Sequence, residues 1–216
     1  MKPRPVYLDN QATTPMDPAV REAMWPYLTE QFGNPHSNDH RFGWDASTAV
    51  RGARAQVAEL VNADDNEIVF TSGATESCNL ALRGVASRTG NDRRDRIVTL
   101  ITEHPAVLET VHDLGRAGYD AIVLPVEPDG LLDLDKLDQV LDERTLLVSV
   151  MGVNNEIGVL QPLTDIAERC RRVGALFHTD ATQAAGRLPI DVDDWNVDLL
   201  SLSSHKVYGP KGVGAL

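Results

Sequence analysis

The chain has 216 residues, 42% of them hydrophobic and only 5% aromatic, with a net charge of −12. That is enough apolar material for one large core, the acidity argues against a nucleic-acid surface, and no apolar run reaches the length of a membrane span. The opening "MKPRPVYLDNQ" has no apolar leader, and two cysteines, Cys78 and Cys170, neither build a disulfide framework nor show metal-ligand spacing, so the cytoplasm is the expected compartment.

Taken in order, the elements alternate. Residues 46–61 carry Ala49, Ala53, Val57, Leu60 and Val61 at helical spacing. A strand over 67–70 runs into "TSGATESCN", where small residues open a helix over 75–86; its free N–H groups and the Thr75 hydroxyl suit a phosphate. A strand over 96–101 ends at His104, one residue before a proline-started helix over 105–117. A strand over 121–126, a helix over 134–141 and a strand over 146–153 come next, the last leading into the polar cluster Asn154, Asn155 and Glu156. A helix over 164–173, with a Thr164 cap and Gly174 at its end, precedes a strand over 175–178, and "FHTDATQAAG" then places Asp180 and Gln183 three residues apart. The last full strand, 197–202, enters "SSHKVYGPKG". The chain stops at Val213-Gly214-Ala215-Leu216, which reads as the first half of one more strand with an open edge, as in the N-terminal part of a longer protein.

Repeated strand-then-helix with hydrophobic strands predicts an α/β fold, a mostly parallel sheet with helices on both faces. In such a sheet the strand ends carrying Thr75, His104, Asn155, Asp180 and Lys206 fall on one edge, where ligands bind. Lys206 is notable because only Lys2, Lys136, Lys206 and Lys211 are lysines among twenty basic residues. A desolvated lysine loses its proton and condenses with aldehydes, which arginine does not do. Pyridoxal 5'-phosphate needs this set: an amine for its aldehyde, a carboxylate for its ring nitrogen, and a cradle for its phosphate.

The segments "YLDNQATTP", "FGNPHS", "EIVFTSGATES", "TEHPAVL", "VNNEIGVLQP", "HTDATQAAGRLPID" and "SSHKVYGPKGVGAL" together resemble the NifS/IscS cysteine desulfurases of the class V aminotransferase family, in the family's order from Tyr7 to Leu216. The resemblance implies the type I pyridoxal-phosphate fold, with residues 1–15 an N-terminal segment belonging with a small domain and 16–216 an incomplete cofactor-binding large domain. It implies Lys206 and His104 as the catalytic pair, Lys206 holding the cofactor and His104 stacking on the ring. Asp180 faces the ring nitrogen, Asn155 and Gln183 contact the ring oxygen or the substrate, Ala74 and Thr75, with Ser203 and His205, hold the phosphate, and Ser204 is counted among the cofactor-binding residues. It implies conversion of L-cysteine to L-alanine, sulfur passed through an enzyme persulfide to acceptor or scaffold proteins, and a homodimer free of nucleic acid and membrane.

Cys78 departs from the asparagine or aspartate usual in the family, and Cys170 falls inside a helix. Neither matches the family's sulfur-attacking loop cysteine, and no arginine matches its carboxylate clamp. A selenocysteine lyase or another class V enzyme is the enzymatic alternative; a non-catalytic, cofactor-binding fragment or scaffold is the alternative of another class.

Overall fold

The computed structural model describes residues 5–88 and 94–216. Seven strands form one sheet in the order β1-β7-β6-β5-β4-β2-β3: β1 (Phe70–Thr71), β2 (Arg96–Leu100), β3 (Asp120–Leu124), β4 (Thr145–Ser149), β5 (Leu176–Asp180), β6 (Leu199–Ser203) and β7 (Gly214–Ala215). Strands β3, β2, β4, β5 and β6 are parallel, and β7 runs antiparallel to both β6 and β1. The terminal apolar stretch is therefore no open edge: Ala215 pairs with Phe70 on one side and Leu202 on the other, and the edges are β1 and β3.

The helices are α1 (Pro18–Thr29), α2 (Arg41–Val61), α3 (Ala74–Ser87), α4 (Pro105–Arg116), α5 (Leu134–Val140), α6 (Leu163–Val173) and α7 (Val192–Trp195). Because β2 and β4 are buried on both sides, consecutive residues feed different cores. Ile97 and Leu147 pack with Leu82, Val107 and Val111 of α3 and α4, while Val98 and Val148 pack with Leu137, Ile166 and Phe177 on the α5–α6 side. Each such fully buried aliphatic side chain contributes about 1.5–3 kcal/mol. A third cluster joins Ala58 and Val61 of α2 to Ala181, Ala184, Leu200 and Ala215.

Several local readings needed correction; the strand expected over 146–153, for one, ends at Ser149, and the helix expected from 46 begins at Arg41. The strand expected from residue 67 is shorter, because Asp65–Glu67 form a 3₁₀ turn closed by Glu67 Oε2 accepting from Asp64 N at 2.9 Å. Helix α6 starts at Leu163 after Pro162, with no side-chain cap. Helix α1 was not expected; Asp17 caps it, Pro18 occupies its first turn, and it buries no residue completely. Of the expected N-terminal segment, residues 1–4 lie outside the described residues. Thr14 N donates to His205 O at 2.8 Å and Asp17 N to Tyr208 O at 2.9 Å, strapping the stretch from Thr14 to Asp17 across the loop after β6.

Candidate active site

The C-terminal ends of β2, β5 and β6 and the start of α3 meet around a cleft of about 390 Å³. The start of α3 is shaped by Gly73, whose φ of 150° and ψ of 176° suit glycine alone. The Gly214 α-carbon packs so closely on Gly73 that a β-carbon there would lie 2.6 Å from Gly73 Cα. Thr71 Oγ1 and Ser77 Oγ lie 2.7 Å apart, and Ser77 Oγ donates to Ala215 O at 3.0 Å, so the helix start is locked to β1 and β7. No side chain caps α3, which leaves the N–H groups of its first turn, at Ala74 and Thr75, to the cleft.

His104 caps α4: its Nδ1 accepts from Ala106 N at 3.1 Å, so the ring proton sits on Nε2. Asp180 ends β5, is 6% exposed, and accepts from Thr182 N on Oδ1 at 2.9 Å. Lys206 lies in a 3₁₀ turn directly after β6, and its Nζ donates to Gln11 O at 2.8 Å. Burial, and then the Arg187 charge, draw the Lys206 amine below the usual lysine range, while Asp180 and Asp9 oppose the shift. His205 is also drawn down, first by burial and then by Lys206 and Lys211; its Nδ1 lies 3.0 Å from Thr13 Oγ1.

Ala74, Thr75, His104, Asp180, Ser203, His205 and Lys206 thus line one cleft, as the sequence reading placed them. Asn155 and Gln183 sit in an adjoining recess that His104, Asp180 and Lys206 share. Gln183 Nε2 donates to the same Gln11 carbonyl as Lys206, at 2.8 Å, and Gln183 Oε1 accepts from Arg187. Ser204 does not join them: its hydroxyl donates to Pro210 O and to Val213 O, closing the loop behind Lys206. Several cleft residues, among them Glu76, Thr182 and Lys211, went unread. Lys211 stands beside the Gly212 turn, and its signal was its lysine identity in the same motif. Thr182 carried no signal beyond its neighbours, and Gln11, outside the cleft lining, contributes the carbonyl that holds Lys206 and Gln183.

The donor set fits pyridoxal phosphate on its own terms. An uncapped helix start with open space over Gly73, the Ser203 hydroxyl, and the His205 and Lys211 side chains suit a phosphate; a half-buried amine and a buried carboxylate flank it; and the Thr182 hydroxyl in the wall is buried with no hydrogen-bond partner among the described residues. Comparison with known proteins agrees: residues 6–216 match the family described as Aminotransferase class-V. The chain belongs to the class-V aminotransferase family. It is 53% identical over 212 residues to the protein named cysteine desulfurase IscS of Rickettsia felis, covering 98% of this chain and 52% of that protein, and 52% identical to the IscS of Rickettsia bellii over the same shares. Among solved structures, a NifS-like protein superposes with a TM-score of 0.94 at 40% identity, covering 97% of this chain and 57% of the other. SspA in complex with cysteine superposes with a TM-score of 0.91 at 40% identity, covering 97% of this chain and 60% of that one. This class-V chain therefore spans about half the length of the curated relatives it matches.

Proposed function

We propose that this chain is the cofactor-binding part of a pyridoxal-phosphate-dependent cysteine desulfurase, which converts L-cysteine to L-alanine and passes the sulfur through an enzyme persulfide to acceptor proteins. The observation that carries the reading is the pairing, across one cleft, of a half-buried Lys206 with a buried Asp180 beside the uncapped start of α3. Bound there, the cofactor supplies an electron-withdrawing ring that stabilises negative charge at the carbon beside the substrate's amino group. Lys206 offers an amine whose lowered proton affinity leaves more of it neutral and nucleophilic. Asp180 supplies a fixed negative charge that holds a proton on the ring nitrogen. His104, with Nδ1 already occupied, presents Nε2–H to the cleft as its only ring donor. Asn155 and Gln183 orient what enters from the recess side.

The thiol that takes the sulfur is neither Cys78 nor Cys170, since both are buried. The same proposal includes a homodimer, supported by the exposed apolar side chains Trp25, Leu28, Phe32, Phe42 and Trp44 on and around α1 and α2. It also includes a small domain that takes up residues 1–15, and a cytoplasmic location, which two free thiols suit. The test is borohydride reduction of the chain with pyridoxal phosphate, then peptide mapping. The label is expected on Lys206. A label on Lys211, which lines the same cleft, or on Lys136 overturns the assignment.

A further inference from the structure

Directly before His104 stands a carboxyl group that the proposed chemistry does not use. Glu103 is 4% exposed. Its Oε1 accepts from Met151 N at 2.7 Å, and its Oε2 is buried with no hydrogen-bond partner among the described residues. Met151 lies just past β4, the strand beside β2, so this one bond crosses between two neighbouring strand ends. A second bond runs alongside: Asn154 Nδ2 donates to Thr102 O at 2.8 Å, while Asn154 Oδ1 accepts from Glu156 N and Ile157 N and shapes the turn that holds Asn155.

We infer that Glu103 is a positioning residue that works as an uncharged acid, fastening the turn that carries His104 to the turn that carries Asn155. The inference rests on the proposed function for its purpose but not for its geometry. An ionised carboxylate with one oxygen buried and unpartnered is far costlier than the neutral acid, because nothing replaces the lost hydration. The groups that act on Glu103 sharpen the choice. Burial comes first and raises its proton affinity, the Met151 N–H comes second and opposes, and the Asp180 carboxylate, third, raises it again. The Cys78 thiol of α3, which feels both acids, is itself held protonated by burial and by Asp180. Among the described residues, no lysine, arginine or histidine acts on Glu103 to favour its charge. As the neutral acid it keeps one oxygen for Met151 N–H, adds one O–H donor to the buried cluster, and places no second buried charge beside Asp180.

The test uses the chain itself with three readouts: infrared difference spectra, hydrogen exchange at the Met151 amide, and pyridoxal-phosphate affinity. At neutral pH the wild type should show a protonated carboxyl band that Glu103→Gln lacks. Glu103→Gln, which preserves the acceptor and the shape, should keep Met151 exchange and cofactor affinity within about twofold, whereas Glu103→Ala should speed that exchange and weaken affinity by roughly tenfold, as expected when a buried N–H loses its acceptor. A missing band, a Gln variant as defective as the Ala variant, or an Ala variant indistinguishable from wild type overturns the inference. If Glu103→Ala does not fold, the band and the Gln variant still decide. Failure of the wild type to bind pyridoxal phosphate overturns the proposed function instead, and leaves the infrared and exchange readouts to decide this one.

Discussion

At position 206 charge is not the property that matters. Arginine there could keep a donor on the Gln11 carbonyl, but a guanidinium stays protonated and does not condense with an aldehyde. Lys206→Arg is therefore expected to abolish borohydride-trapped cofactor as completely as Lys206→Ala, read by absorbance after reduction and denaturation; retention of label in the arginine variant would show that another amine takes the aldehyde. The two thiols make the opposite case. Burial raises Cys78, with Asp180 adding to the effect, and raises Cys170 to about 12, with Asp198 adding. A thiolate is the reactive form, so native chain should resist alkylation while a small-molecule thiol reacts to completion, and both cysteines should label once urea unfolds it. Prompt native labelling of Cys78 would mean that the wall behind Asp180 opens. These outcomes depend on identity and placement, which differ in how well the sequence reveals them. Lys206, Asp180 and His104 were legible because each is a chemically distinctive side chain at a strand end. Ser204 falls outside the cleft lining because its direction is set by the Pro210 and Val213 carbonyls, which arrive from further along the loop.

Strands β4, β5 and β6 are joined through side chains as well as backbones. His178 of β5 is fully buried, with Nδ1 2.8 Å from Ser149 Oγ of β4 and Nε2 2.9 Å from Ser201 Oγ of β6. A neutral imidazole donates once and accepts once, which suits two hydroxyls, and burial lowers His178 from 6.5 to about 3. Between those values the unfolded chain binds a proton that the folded chain does not. The contribution of His178 is therefore present above pH 6.5 and is lost as pH falls towards 3, at about 1.4 kcal/mol per pH unit. Urea denaturation between pH 7 and 4 should show this loss, and His178→Gln should flatten it while lowering stability at pH 7; an unchanged acid limb in the variant would assign the loss to other groups. The buried strands were readable because they are continuous apolar runs bounded by polar turns. Helix α1 was not, because it buries no residue completely within this chain and so writes no core-facing stripe; its Asp17–Pro18 start was the available signal. The antiparallel insertion of β7 was also out of reach, since two residues carry no direction until Val69 and Leu216 exchange backbone bonds at 2.7 and 2.8 Å.

Across the whole molecule, the chemistry divides between what the cleft holds and what it lacks. Amine, carboxylate, imidazole and anion cradle converge, so pyridoxal phosphate should be taken up. Desulfuration needs two further parts. One is a thiol able to reach the substrate sulfur, but Cys78 at 0% exposure and Cys170 at 1% are the chain's two cysteines, and Cys170 lies in the core on the α6 side of the sheet. The other is a cation for the substrate carboxylate. Arg187, whose charge acts on Lys206, already donates to Gln183 and to the Lys206 carbonyl. Among the described residues no arginine lines the cleft, and without such a clamp the substrate is poorly oriented, orientation being worth roughly 7–11 kcal/mol of barrier. The 216-residue chain should therefore bind the cofactor through Lys206 yet release no sulfide from L-cysteine above the level of its Lys206→Ala variant. The measurement is sulfide release by purified chain with pyridoxal phosphate and a thiol reductant, beside that variant and beside cofactor alone. Lysine-dependent turnover at an enzyme's rate would mean that a buried cysteine reaches the cleft during the reaction, and Cys78→Ser and Cys170→Ser would then show which one.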